Sequence, residues 1–410
     1  MRHFSIWYTP GVAAVSRYIH EAGGDEALEL TWRGNLVAVI SDGTRVLGLG
    51  NIGPEAALPV MEGKALLFKY LGGVDAVPLV VRSSSADEFI EIVKAVSPSF
   101  GGINLEDIES PKCFYILDRL RQELDIPVWH DDQQGTAVAV LAGLINAFKI
   151  VGKDLKKARI ALVGLGAANY AVLKILEIYG VDLGNIIVVE KPGIGILSKC
   201  HPMLEEFKKR APHWYEAAIK TNRECIEGGI DNALEGADAL IAASRPGPNV
   251  IMKEWIKAMA KDPIVFTLAN PVPEIWPWEA KKAGARVVAT GRSDLPNQVN
   301  NSLVFPAVFR GALSVRAKKI TDKMLLAASK ALAEYVEKKG LREDYILPSM
   351  SEYEVFIEEA LAVARQAIME GVARRKLDEA ELFKEIRMHI LRAREYMDLV
   401  LGKLIVEHYF

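Results

Sequence analysis

Cysteine is scarce in this 410-residue chain. Cys113, Cys200 and Cys225 show neither close pairing nor metal-ligand spacing. That excludes a disulfide-dense scaffold and a cysteine zinc site, and leaves reduced structural thiols in a cytoplasmic protein as the simple expectation. Long apolar runs are lacking as well. The longest, such as Ile160–Val163 and Ile186–Val189, are strand-sized, short of the roughly 18–20 residues that span a bilayer. The opening MRHFSIWYTPG holds no apolar signal core. Charge of one sign is missing too. The net charge of −3 offers no general attraction to nucleic acid or to an anionic membrane, so an anionic substrate must be met by local charges. Low-complexity tracts and internal repeats are absent from the sequence.

What is present is an alternation of strand and helix patterns. Residues 36–40 (LVAVI) form a buried-strand pattern, Asp42-Gly43 a turn, and residues 45–49 (RVLGL) a returning strand, which predicts a hairpin. Pro54 then opens a helix. Strands at 76–81, 101–105 and 127–130 alternate with helices near 87–96 and 111–124. A helix from Gly135 leads into a second series, with strands at 160–163, 186–189, 239–243, 264–268 and 287–289. From about residue 307 the pattern is helical. Its charge runs, as in EYVEKKG, read as solvated faces, and its apolar faces fit against the first domain or another subunit. The expected class is α/β, with mainly parallel sheets in two domains. These are an N-terminal α/β substrate and metal domain (1–134) and a Rossmann-type NAD(P)-binding domain (135–316). A C-terminal helical segment (317–410) continues the second domain.

The second series opens with RIALVGLG followed by an amphipathic helix pattern. Gly164 supplies the tight turn, Gly166 lets backbone approach a pyrophosphate, and the next helix offers its positive end. Ala167 and Ala168 keep the helix entrance small, although Asn169 replaces the third glycine of the fingerprint. Glu190 ends the following strand and is a candidate acceptor for the adenosine ribose. That favours NAD, with NADP possible because Lys191 stands beside it. A second stretch, GLGNIG from Gly48, matches the fingerprint by letter. It lacks the strand–helix context and reads better as a packed glycine turn at the active-site floor.

In the first domain, Glu106-Asp107 and Asp131-Asp132 each end a strand pattern. Ligands gather at strand C-termini in open α/β sheets. Four converging carboxylates need a cation, and oxygen-only donors suit Mg²⁺ or Mn²⁺. His130 is a weaker ligand candidate. Lys64 and Lys69 are spaced so that only one can face the site, and a lysine base must have its pKa depressed. Arg45 is a candidate clamp for a substrate carboxylate. Tyr8, beside Pro10-Gly11, reads from its residues alone as packing or surface.

The runs YTPGVA (from Tyr8), SDGTRVLGLGNIGPEAALPVMEGKALLFK (from Ser41), GGINLEDI (from Gly101), HDDQQGTA (from His130), LANPVPE (from Leu268) and TGRSDLPNQVNN (from Thr290) together resemble the short prokaryotic malic enzymes. The resemblance covers Tyr8 to about Arg316. It implies oxidative decarboxylation of (S)-malate to pyruvate and CO₂ with reduction of NAD(P), a malolactic conversion to lactate being the alternative. It implies Glu106, Asp107 and Asp132 as metal ligands, Lys64 as base with Asp131 as its carboxylate neighbour, and Tyr8 as acid. It further implies Arg45, Asn270, Asn300 and Asn301 at the malate and nicotinamide end, and a homodimer. Only seven residues precede Tyr8, fewer than the family carries. This implies a shortened chain or a misplaced start, with less bracing for the tyrosine.

Overall fold

The computed structural model describes residues 3–408. A one-turn helix, Phe4–Trp7, leads into α1 (Gly11–Ala22). The first sheet follows: β1 (Leu36–Ser41), α2 (Pro54–Gly72), β2 (Asp75–Val80), α3 (Ala86–Val96), β3 (Gly102–Leu105), α4 (Lys112–Glu123) and β4 (Val128–His130). Its order is β2-β1-β3-β4, parallel throughout. β1 is central and buried at all six residues, as its unbroken LVAVI run requires. Pro78 in β2 lies on an edge strand, where a missing N–H is tolerated.

The expected hairpin does not form. β1 pairs in parallel with β2 and β3, and residues 45–49 form a loop with only an isolated bridge, Val46 to Gly50. An apolar run buried on both faces carries no alternation to separate parallel from hairpin pairing. Leu47, with φ +47°, and Leu49 are exposed and only Val46 of RVLGL is buried, so the run has no continuous buried face to offer a strand.

Residues Asp131–Gly135 make a wide π-helical turn into α5 (Thr136–Val151), which is buried from Ala137 to Phe148. The span Asp131–Val151 is long and apolar enough by composition to cross a membrane, contrary to the expectation that no segment reaches that length. Its apolar window is 78% buried inside the protein, as a core helix between domains would be.

The second sheet comprises β5 (Ile160–Val163), β6 (Ile186–Val189), β7 (Ala239–Ala242), β8 (Ile264–Thr267) and β9 (Val287–Thr290), with α6 (Ala167–Tyr179) after β5. Its order, β6-β5-β7-β8-β9, is again parallel. The chain ends in α7 (Phe305–Ser314), α8 (Asp322–Lys339), α9 (Tyr353–Met369) and α10 (Glu379–His408). These helices divide between the domains. α8 packs on α5 and α6, whereas α7 and α10 pack on α2 of the first domain. The C-terminal segment therefore serves both domains, not the nucleotide domain alone. One hydrophobic core runs from Val37 and Trp129 through α5 and Phe309 to Ile160 and Leu162, so the sheets share a helical layer.

The thiol expectation also needs correction. Cys200 and Cys225 form a disulfide, with Cα atoms 5.8 Å apart, while Cys113 is free and buried. The two cysteines are 25 residues apart in sequence. The segment after β6 returns beside residues 222–228, where the Ile196 amide donates to the Gly228 carbonyl at 3.2 Å.

Candidate active site

β3 and β4 are neighbours with Leu105 opposite His130, so their C-termini deliver Glu106-Asp107 and Asp131-Asp132 to one edge. This edge adjoins the switch point between β1 and β3, where an open sheet leaves a crevice. Glu106, Asp107 and Asp132 each offer an oxygen within 4.8 Å of the others. Asp107 has φ +54°, a left-handed conformation that aspartate tolerates better than most residues. Its amide donates to Asp132 Oδ2 at 2.9 Å, and its carbonyl accepts from the Arg45 amide at 3.0 Å. Arg45 itself is exposed.

Lys64, on α2, is 8% exposed and bridges Asp131 and Glu106, the latter at 2.7 Å. Its ammonium lies 4.5 Å from the Phe305 ring centroid. Lys69 turns away to Asp75 at 2.8 Å, settling which lysine the helix aims inward. Burial alone would depress Lys64, but the charges of Asp131 and Glu106 outweigh it and hold the ammonium above its ordinary pKa. Burial also drives Glu106 well above the usual carboxylate range, despite Lys64. Asp107 is pushed up to about 7 by burial and then by Asp132.

A divalent cation fits this cluster. Asp107 Oδ2 is buried without a hydrogen-bond partner, three carboxylates converge with too little compensating charge, and the donors are all hard oxygens. His130 is outside the three-carboxylate group. Its ring is fully buried, with Nδ1 3.7 Å from Asp132 and both nitrogens unpartnered among the described residues.

Several supporting residues carried no motif signal. Asn104 donates to Glu106 at 3.0 Å, and Trp129 Nε1 donates to Asp131 at 2.9 Å. Gly135 is required by space. A Cβ there would stand 2.2 Å from Asp131 Oδ1 and 2.8 Å from Asn301 Cβ. These contacts could be suspected only from the alternation that turns Asn104 toward Glu106, and from the glycine closing HDDQQG.

The Gly164 turn follows β5 of the second sheet, and the helix after it packs on the Asp131–Gly135 turn. Gly164 has φ +81°, and a Cβ on it would crowd the Ala243 carbonyl and Ser244. Around Gly166 a Cβ would meet only open space, as a phosphate cradle needs. Ala167 and Ala168 start α6 half-buried. Asn169 explains the missing third glycine. Its buried amide donates to the carbonyls of Val163, Gly164 and Ile241, lacing the ends of β5 and β7 together. Glu190 reaches back to the turn, accepting from the Leu165 and Lys191 amides.

Two loops of the second domain complete the cleft. A Cβ on Gly48 would stand 2.7 Å from the Asn270 carbonyl, so GLGNIG is a turn packed against the other domain. Gly291 lies equally close to the Asn270 amide. Asn300 caps the turn Asn301–Leu303, accepting from Ser302 at 2.9 Å, and Asn301 borders Gly135.

Tyr8 is not brought to this site by its own chain. It is 72% exposed, and every described residue of Phe4–Trp7, Tyr8 and α1 is exposed except half-buried Gly11 and Ile19. Phe4, Ile6, Trp7, Val12, Val15 and Tyr18 are exposed with it. The one-turn helix packs on α1, and α1 on the turn Gly24–Glu26, which leaves this apolar face uncovered.

The family model described as "Malic enzyme, N-terminal domain" matches residues 1–85 and 82–121, and "Malic enzyme, NAD binding domain" matches 133–368. The chain is 50% identical to an NAD-dependent malic enzyme of Geobacillus stearothermophilus, covering 90% of this chain and 74% of that one. It is 46% identical to the bifunctional malic/malolactic enzyme of Bacillus subtilis, covering 94% and 91%. The crystal structure of malic enzyme from Pyrococcus horikoshii superposes with a TM-score of 0.91 at 54% identity, covering 98% and 91%. Two matched domains in the family's order, with identity of this level along almost the whole length, establish that the chain belongs to the malic enzyme family.

Proposed function

We propose that this chain oxidatively decarboxylates (S)-malate to pyruvate and CO₂ with NAD as the preferred acceptor and NADP as a weaker one. The observation that carries the reading is Lys64 held between Asp131 and Glu106 where three carboxylates converge. Glu106, Asp107 and Asp132 would hold Mg²⁺ or Mn²⁺, and the Gly164 turn the dinucleotide. When bound, the dinucleotide would supply a hydride acceptor, and the cation would supply positive charge that offsets the carboxylates and acidifies a bound hydroxyl.

The side chains divide the remaining work. Asp131 fixes Lys64, itself anchored by Trp129. Lys64, once neutral, accepts the C2 hydroxyl proton. Arg45 clamps a substrate carboxylate, and Asn270, Asn300 and Asn301 orient the malate and nicotinamide end. After the C3–C4 bond breaks and CO₂ leaves, the bond's electron pair remains as the enolate, and Tyr8 gives one proton to C3 to yield pyruvate. Glu190 receives the adenosine ribose, which disfavours a 2′-phosphate. Lys191 lies over the Trp214 ring at 5.8 Å and is only partly free to offset it.

Tyr8 performs this role across a homodimer. Its exposed apolar surroundings fit a second copy, and the tyrosine of one copy serves the Lys64 of the other. A cytoplasmic setting belongs to this reading, although the Cys200–Cys225 disulfide is unusual there. The test is a steady-state assay with malate, crossing both dinucleotides with both metals and identifying the product. Pyruvate with stoichiometric free NADH supports the reading. Lactate without free NADH supports malolactic conversion, and absence of metal-dependent turnover rejects both.

A further inference from the structure

Glu274 lies beyond β8 in the LANPVPE run and is fully buried. Its two oxygens serve different strand ends. Oε1 accepts from the Ser244 amide at 2.8 Å and hydroxyl at 3.2 Å, while Oε2 accepts from the Ala269 amide at 3.1 Å. Ser244 follows β7 and Ala269 follows β8, and these strands are paired with Ala242 opposite Thr267. Both ends build the site. A Cβ on Gly164 would stand 3.1 Å from the Ser244 Cα, so Ser244 walls the nucleotide turn. Ala269 immediately precedes Asn270, which touches Gly48 and Gly291.

Beyond the last ladder bond, the N–H groups of strand ends still need acceptors. A carboxylate accepts on both oxygens, whereas a glutamine amide would turn an NH₂ toward one of the donors. Burying that charge costs free energy, and burial raises the Glu274 carboxyl above its ordinary range. Its backbone is held separately, the Glu274 carbonyl accepting from Ile251 at 3.1 Å. One oxygen thus reaches across to Ser244 after β7, while the other closes Glu274's own loop onto Ala269 after β8, so a single carboxylate joins the two strand ends.

We propose that Glu274 is a positioning residue whose carboxylate sets the spacing between the Gly164 turn and Asn270, and hence between the pyrophosphate and nicotinamide ends of the bound dinucleotide. The catalytic part of this inference rests on the malate reading; the binding part does not. The test uses the full-length protein and the variants Glu274→Gln, Glu274→Asp and Ser244→Ala. Dinucleotide affinity is titrated without malate or metal, amide exchange is followed at Ser244 and Ala269, and kcat and KM for malate are measured separately.

Glu274→Gln and Glu274→Asp are expected to bind dinucleotide roughly tenfold more weakly, to exchange both amides faster, and to lose more in kcat than in malate KM. Ser244→Ala deletes one of the three bonds and shifts affinity less, in the same direction. Should Glu274→Gln fail to fold, Glu274→Asp decides, since it keeps the charge and shortens its reach. Affinity and exchange within twofold of the parent in a folded Glu274 variant would overturn the proposal. Weakened dinucleotide binding in a protein that never turns over malate would overturn the substrate reading and leave the positioning role standing.

Discussion

Lys64 is protonated in the metal-free site because two carboxylates outweigh its burial. In the proposed reaction, Lys64 would have to give up that proton before it could act as a base. Asp107 carries the opposite burden, with its carboxyl raised to about 7 by burial and Asp132. A carboxyl raised on folding stabilises the fold while protonated. That contribution is complete below its unfolded value of about 4 and is lost as pH rises to about 7. Metal-free protein should therefore lose stability across that window. Asp107→Asn should raise the melting temperature at pH 8 more than at pH 5, and should weaken the stabilisation given by Mn²⁺. Equal effects at both pH values in thermal melts would contradict the charge account. Lys64→Ala should lose malate oxidation, whereas Tyr8→Phe should lose pyruvate formation while retaining oxaloacetate reduction. Equal loss of both partial reactions in the two variants would refute the division of roles. Residue by residue, helical spacing showed that only one of Lys64 and Lys69 faces the site, the resemblance named Lys64, and the carboxylate pairs stood out through their place at strand ends. The sequence could not place Tyr8 through burial or packing, because Tyr8 and its neighbours are exposed within their own chain.

Strand ends and the turns after them carry most of the chemistry. The two glycine runs show why context outranks letters. RIALVGLG leads from a strand into a helix, the context a dinucleotide turn needs, whereas GLGNIG follows a loop and packs Gly48 against Asn270. The hairpin reading of residues 36–49 failed for a related reason. LVAVI is buried on both faces and carries no period-2 signal, so only its neighbours in the sheet decide its pairing. The Cys200–Cys225 disulfide was equally illegible, since it depends on how the segment after β6 folds back. It clamps the loop that begins at Glu190. Replacing both cysteines by serine should lower stability by about 3 kcal/mol, from the freedom regained by the unfolded chain. The change is measured by denaturant unfolding under non-reducing conditions. An unchanged midpoint would mean that the crosslink contributes nothing in solution.

Across the whole molecule, the two sheets are joined through shared helices instead of a linker. α5 passes through the common core, α7 and α10 return to the first domain, and α8 stays with the second. The two alternating series were legible in the sequence. The distribution of the last helices was not, because an apolar helix face states that it is covered but not by what. The same ambiguity surrounds the exposed face of residues 4–18, and there the account commits to a second copy. Mixing Lys64→Ala protomers with Tyr8→Phe protomers tests this together with the catalytic roles. If Tyr8 serves the partner's Lys64, each mixed dimer holds one site with both groups intact, and random exchange of two variants that form no pyruvate should restore about a quarter of the parent pyruvate formation. Mixed dimers that form, as confirmed by mass, yet stay inactive would contradict the account.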